Sequence, residues 1–549
     1  MHQMVAAPAV LSVFVAVTLC SRALAAEASA PRSIAAPTEI VRTQVEPSTA
    51  RRRIDLNGTP IDYTVRWSEL VLNDSFGEPQ ATISSTSYVR EDVADRLRRP
   101  VIVFFNGGPG ASSSPLHFDA FGPRRRAPKG SPADAPLIDN PATPLDVADL
   151  LFVDPVGTGF SRELRDGGGR AYWGTRGDPE SVLKLVRSWL RENGRSNSPV
   201  IVIGQSYGGT RAALMAKDMT DLNVAALVLV SPALDYSATA SVPGNDYPFV
   251  FTLPTMAVAA WYHGKAARDG SGEADAGEVW ARAREFAQGE FLQALALGSR
   301  LGIEEKSRLA LRISKLTGLP VDKILKSDLR IDSQEFLETL LDDQRLVVGR
   351  LDTRVTAPVK PPLNPDRPAA ANDPSLGLGR DNVIRSPSIT RYYRDEVGVR
   401  TEREYFSLTL DVNFNWNWNE LMGSNDRGPR FWFTTTPNLE KLLREKPNAR
   451  LLVVGGYFDL ATPLLGVEHA ITHARLPNDR VEVLALPGSH SPYDDPRNLE
   501  TVAERLRALA RGATTAPLLS DRRKTGEDPA QVRPESKDLR TWRGRRRST

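Results

Sequence analysis

The chain has 549 residues, too many for one compact core, so a core with an inserted or added domain is expected. Its 70 Lys and Arg nearly balance 67 Asp and Glu, leaving a net charge of +3, and nothing in that balance argues for nucleic-acid binding. Hydrophobic residues make up 41% of the chain, as suits a globular protein.

Residues 1–25 read as a secretory signal peptide. Val5–Leu19 is an apolar stretch, too short and wrongly flanked for a membrane span, and Ala23-Leu24-Ala25 fits a small-x-small cleavage site. Cleavage there makes Ala26 the mature start, and a secreted or periplasmic location with no stable membrane span is expected. The single cysteine, Cys20, lies inside this leader, so the mature chain would hold no thiol and no disulfide. Residues 26–50, rich in Ala, Pro and Ser, are expected to be a flexible linker.

Residues 51–235 are expected to form the first part of an α/β core. Ile54–Arg90 alternates apolar and polar residues around Asn57-Gly58 and Gly77, which predicts antiparallel strands. From Val101 to Val230 strands and helices alternate, as in a mostly parallel sheet flanked by helices. The run Val101–Phe105 leads into Asn106-Gly107-Gly108-Pro109-Gly110-Ala111-Ser112-Ser113-Ser114. Glycines there let backbone N–H groups turn toward a ligand, although a plain helix-capping turn has the same composition. The Gly-Lys-Ser/Thr ending of a phosphate loop is missing. Further on, Val200-Ile201-Val202-Ile203-Gly204-Gln205-Ser206-Tyr207-Gly208-Gly209 reads as strand, sharp turn and helix with Gly-x-Ser-x-Gly at the turn. That is the nucleophile elbow, which strains the serine backbone and lifts its Oγ above the sheet edge.

Residues 236–428 break this pattern and are expected to form a mostly helical cap. Val279–Leu297, Ile303–Leu316 and Gln334–Leu341 carry helical periodicity, and the Pro-rich Pro358–Leu376 is expected to be an exposed loop. Trp261, Tyr262, Phe414, Trp416 and Trp418 could line an apolar pocket. The alternation in Phe414–Trp418 equally suits one packed strand face. Residues 429–512 are expected to complete the core, and the basic, polar tail 513–549 to be disordered.

A nucleophilic serine needs a base and an orienting acid, in the chain order Ser, Asp, His. The chain has six histidines. His2 lies in the leader, and His117 and His263 precede any late acid. His469 and His473 sit four apart on a predicted helix, Leu464–Leu476; with no third ligand evident, a solvated face explains them better than a metal site. His490 follows the strand-like Val481–Leu486, where a triad base belongs. Asp459, just past Leu451–Gly456, is the matching acid. Asp154 and Asp235 come too early and suit turn or capping roles. The backbone N–H of Tyr207 and one from the Asn106–Gly110 loop are the expected oxyanion donors.

Together these pieces resemble the serine carboxypeptidases, peptidase family S10, in a bacterial form without disulfides. The carrying motifs are Asn106-Gly107-Gly108-Pro109-Gly110 with Ser112-Ser113, Asp154-Pro155-Val156-Gly157-Thr158-Gly159-Phe160-Ser161, Gly204–Gly208, Gly456-Tyr457-Phe458-Asp459 and Gly488-Ser489-His490. They fall in the family's order from about Arg51 to about Gly512. The resemblance implies an α/β-hydrolase fold and release of C-terminal residues from peptides through an acyl-enzyme. It implies Ser206 as nucleophile, His490 as base, Asp459 as orienting acid and the Gly108 and Tyr207 amides as oxyanion hole. It also implies that Asn106 and Gly107, with Gln205, meet the substrate's free carboxylate. No metal or cofactor is required.

The chain departs from the family at two positions. Eukaryotic members carry Glu before the nucleophile, where this chain has Gln205, and a second Glu where it has Ala120, with Asp119 adjacent but out of register. A Glu must be protonated to donate to a carboxylate, whereas Gln donates at any pH. Less preference for acid pH is therefore expected. An esterase or acyltransferase on the same triad is the first alternative, and a catalytically inert binding protein the second.

Overall fold

The computed structural model describes residues 44–128, 130–266, 275–362, 364–419 and 433–512. The expected leader, most of the expected linker and the C-terminal tail lie outside the described residues. The first strand begins at Ser48, inside the segment read as linker.

Nine strands make one sheet. They are β1 (Ser48–Leu56), β2 (Thr59–Asn73), β3 (Pro79–Arg90), β4 (Val101–Phe105), β5 (Asp149–Asp154), β6 (Val200–Gln205), β7 (Val224–Val230), β8 (Arg450–Gly456) and β9 (Val481–Leu486), in the spatial order β1-β2-β3-β5-β4-β6-β7-β8-β9. The first three pair antiparallel, and β3 meets β5 antiparallel. From β5 to β9 every pairing is parallel. β4, β5 and β6 are buried along their whole length, which is why they read as continuous apolar runs.

Alternate side chains of these strands feed two cores. On one face Ile102, Phe104, Ile201, Ile203 and Val454 pack on Leu499, Val502 and Leu506 of the C-terminal helix Pro496–Ala510. On the other, Val103, Phe105, Val202 and Val453 pack on α1 (Gly177–Glu192) and α2 (Tyr207–Ala216), through residues such as Val186 and Ala213. The amphipathic α1 and C-terminal helix thus hide their apolar stripes against a sheet face, while α2 is buried along its whole length. This is the α/β-hydrolase arrangement, with the strand order reversing at β4.

The segment between β7 and β8 builds a third core of its own. Helices α3 (Tyr247–Tyr262), α4 (Ala276–Phe286) and α5 (Ile303–Thr317) pack Val250, Trp280, Phe286 and Ile313 together, and the cluster continues into Phe458 and Leu464 beside the late strands. The helical stretch expected over Val279–Leu297 is interrupted at Gly289, whose backbone leaves the helical region. Phe414–Trp418 is not a strand: Leu410–Phe414 is a short helix, and Trp416 and Trp418 follow it in irregular chain. Among the described residues no helix is long and apolar enough to cross a membrane.

Candidate active site

Ser206 sits at the turn from β6 to α2 with φ 60° and ψ −125°, a conformation that a side chain adopts only under constraint. Glycine makes the turn possible: a Cβ on Gly204 would run into the carbonyl of Gly208, so strand and helix approach closer than any larger residues permit. The helix N-terminus lies directly behind the serine, where its free N–H groups favour negative charge.

The loop after β4 lies against this turn. A Cβ on Gly107 would overlap Tyr207 N, and Gly108 follows with φ +98°. Asp154, at the end of β5, fixes the loop further along. Its Oδ1 accepts from Ser113 N at 2.8 Å, Ser113 Oγ at 2.7 Å and Tyr405 Oη at 3.1 Å. Burial pushes its carboxyl up to about 6, against the opposing pull of the Ser113 and Tyr405 hydrogen bonds and of Arg162. Asp235, the other early acid, accepts from Ser237 N and Oγ at a helical turn. Asp235 thus serves a turn, as the sequence suggested, whereas Asp154 ties the Ser113 loop to the distant Tyr405.

Asp459 and His490 come from the loops after β8 and β9. His490 Nδ1–H donates to Asp459 Oδ2 at 2.8 Å, and Asp459 is fully buried. Asp459 Oδ1 accepts from the backbone N–H groups of Ala461 and Thr462, while Thr462 Oγ1 donates to Oδ2 at 2.6 Å. Thr462 was not singled out from the sequence; a hydroxyl three residues beyond an acid in a turn is the pattern that points to it. Ser206 and His490 line one cavity of about 560 Å³. Asn106, Gly107, Gly108, Gln205 and Tyr207 line it too.

Gln205 departs from expectation. Its Nε2 donates to the His490 carbonyl at 2.9 Å and to Ser491 Oγ at 3.0 Å. Its Oε1 accepts from Asn106 Nδ2 and from the Tyr493 hydroxyl. Every hydrogen of the amide is therefore engaged inside the protein, and Gln205 braces the His490 loop instead of facing a carboxylate. Asn106 is held similarly, with Oδ1 accepting from Leu116 N and its backbone carbonyl accepting from Arg211.

Other predicted residues scatter. His117 is stacked between Phe118 and Phe152 in the core, where burial drives its imidazole well toward the neutral form. His469 and His473 stack on each other 3.8 Å apart. Of the five aromatics, Trp418 lines the cavity and packs on Tyr207 and Tyr236. Trp416 is buried against Tyr207, while Trp261, Tyr262 and Phe414 are exposed.

Pro358–Leu376 is not simply an exposed loop. Ala371 is buried, and Ala370, Ser375 and Leu376 line the cavity. Prolines hid this because they fix an irregular path without leaving a helix or strand period to read.

Residues 88–228 match the serine carboxypeptidase family. The match runs from the last residues of β3 to β7 and covers the Asn106 loop, the Asp154 motif and the turn at Ser206. Serine carboxypeptidase-like 36 of Arabidopsis thaliana is 29% identical over 159 residues, 27% of this chain and 31% of that protein. Serine carboxypeptidase-like 25 of the same plant is 32% identical over 130 residues, 23% of this chain and 26% of that protein. The matched stretch spans less than a third of either curated relative. Among solved structures, the prohormone-processing carboxypeptidase Kex1(Δ)p of Saccharomyces cerevisiae is 15% identical with a TM-score of 0.49, covering 82% of this chain and 91% of that one.

Proposed function

We propose that this protein is a serine carboxypeptidase that releases C-terminal residues from peptides through an acyl-enzyme on Ser206. The observation that carries the reading is the Asp459–His490 pair, whose histidine lines one cavity with a strained Ser206. The family match over residues 88–228 supports the same chemistry.

In this reading His490 takes the Ser206 proton as Oγ attacks the scissile carbonyl. Asp459 holds the imidazole with its N–H at Nδ1, leaving Nε2 free to act as base, and stabilises the imidazolium that forms. The oxyanion rests on the Tyr207 and Gly108 amides, each donor contributing about 3 kcal/mol. His490 then protonates the leaving amine, and water activated by the same base hydrolyses the acyl-enzyme. The apolar leader and the cysteine-free mature sequence support a bacterial envelope setting.

The test uses N-blocked dipeptides, one with a free C-terminal carboxylate and one amidated, on the wild type and Ser206→Ala. Cleavage of the free acid that vanishes in the variant is expected. Ser206-dependent ester hydrolysis with neither peptide cleaved would replace the reading with that of an esterase or acyltransferase.

A further inference from the structure

The cap sends one strand of irregular chain, residues 350–353, between the acid and base loops. Leu460 N donates to Arg350 O at 3.0 Å, His490 N donates to Leu351 O at 2.8 Å, and Thr353 N donates to Phe458 O at 3.1 Å. From the outer side, Asp373 accepts from Arg350 N and Ser375 Oγ accepts from Leu351 N. His263, at the end of α3, donates from Nε2 to Thr353 O at 2.7 Å. The backbone of this segment is therefore fixed on both sides, and it places Arg350 in the cavity wall.

A substrate carboxylate drawn into such a cavity needs donors that the protein has not already used. Gln205 has none left, and Asn106 gives one of its two amide hydrogens to Gln205. Two arginines line the cavity. Arg126 is clamped by both oxygens of Asp119, through Nε at 2.7 Å and Nη2. Arg350 makes no side-chain hydrogen bond or ion pair among the described residues, and its Nε is buried without a partner. A buried guanidinium N–H left unsatisfied is costly, and a planar carboxylate matches the guanidinium fork.

We propose that Arg350 is the residue that binds the substrate's terminal carboxylate, in place of the carboxylate-binding role expected of Gln205. The proposal rests on the peptidase reading for the origin of that carboxylate, and it makes the enzyme selective for anionic chain ends. The donor is a guanidinium and not a carboxylic acid, so this selectivity does not depend on protonating an acid.

The test is Arg350→Gln, which keeps the backbone clamps because on this segment they use only main-chain atoms, those of residues 350, 351 and 353. Two substrate pairs are compared, an N-blocked dipeptide and the matching depsipeptide ester, each as free acid and as amide. The acid-to-amide ratio of kcat/KM is expected to fall roughly tenfold to hundredfold in the variant, with Arg350→Lys keeping part of it. A wild type without acid preference, an unchanged ratio, or an equal fall for acid and amide would overturn the proposal. If only the ester pair is turned over, the peptidase reading fails while the ratio still decides on Arg350. Calorimetric binding of an N-blocked amino acid, as acid and as amide, needs no turnover; loss of the acid's advantage in Arg350→Gln is expected, and retention of that advantage would overturn the proposal.

Discussion

The side-chain amide of Gln205 donates to the backbone carbonyl of His490 across 2.9 Å, tying the residue before Ser206 to the histidine itself. The bond crosses from the end of β6 to the loop after β9, so it sets where the imidazole sits relative to Ser206. In the proposed mechanism Gln205 would act through His490, as a positioning residue.

Replacing it tests that role through pH. In Gln205→Glu a carboxyl would replace the amide, and only its protonated form can donate to the His490 carbonyl. Gln205 is 2% exposed, so burial should lift the new carboxyl above the ordinary Glu value of about 4.3. The variant-to-wild-type ratio of kcat/KM is expected to fall tenfold or more as pH rises through that value, the scale of a lost buried hydrogen bond of about 1–3 kcal/mol. A ratio flat from pH 4 to 8 would show that the amide donor does not position the base.

Asp154 gives a second pH effect, on stability. Its carboxyl is pushed up to about 6 by burial, whereas an unfolded Asp titrates near 3.9. The native state therefore holds this proton more tightly than the unfolded chain. Its contribution is fully present below pH about 4 and is lost as pH rises through about 6, roughly 3 kcal/mol in all. Asp154→Asn removes the titration and can keep Oδ1 as acceptor for Ser113 and Tyr405. In urea unfolding at several pH values, wild-type stability is expected to fall by about that amount between pH 4 and 7 relative to the variant. Parallel curves would refute the shifted carboxyl.

Much of the site was legible because its chemistry is local in sequence. Gly-x-Ser-x-Gly specifies its own turn, and Asp459 and His490 each follow a strand of the main sheet within a few residues. The parallel sheet was legible for the same reason, since buried strands such as Ile201–Ile203 are continuous apolar runs. What escaped depends on contacts between distant segments. Arg350 reads as an ordinary cap residue until the chain folds it between the loops of Leu460 and His490. Helix α3 escaped because it is apolar on nearly all sides and contains Pro254, so it shows no amphipathic period. The Gln205 bonds escaped because nothing in Gly-Gln-Ser says which way the amide points.

The Asp178–Arg211 pair supplies the last prediction. Arg211 lies on α2 and Asp178 on α1, and both are nearly inaccessible to solvent. Arg211 Nε donates to Asp178 Oδ2 at 2.7 Å and Nη2 donates to Oδ1 at 3.0 Å, while Nη1 reaches the Asn106 carbonyl. One guanidinium thus joins the helix behind Ser206, its neighbour helix and the loop of the proposed oxyanion hole. Burial pushes the Asp178 carboxyl up even with Arg211 beside it, so removing the cation leaves a charge that must be neutralised or carried at a cost. Arg211→Met is expected to lower stability by about 3–5 kcal/mol, and Asp178→Asn with Arg211→Met to recover part of that loss. Urea midpoints for the two single variants and the double variant measure the coupling. Strict additivity would mean that the pair is not the element holding α1, α2 and the Asn106 loop together.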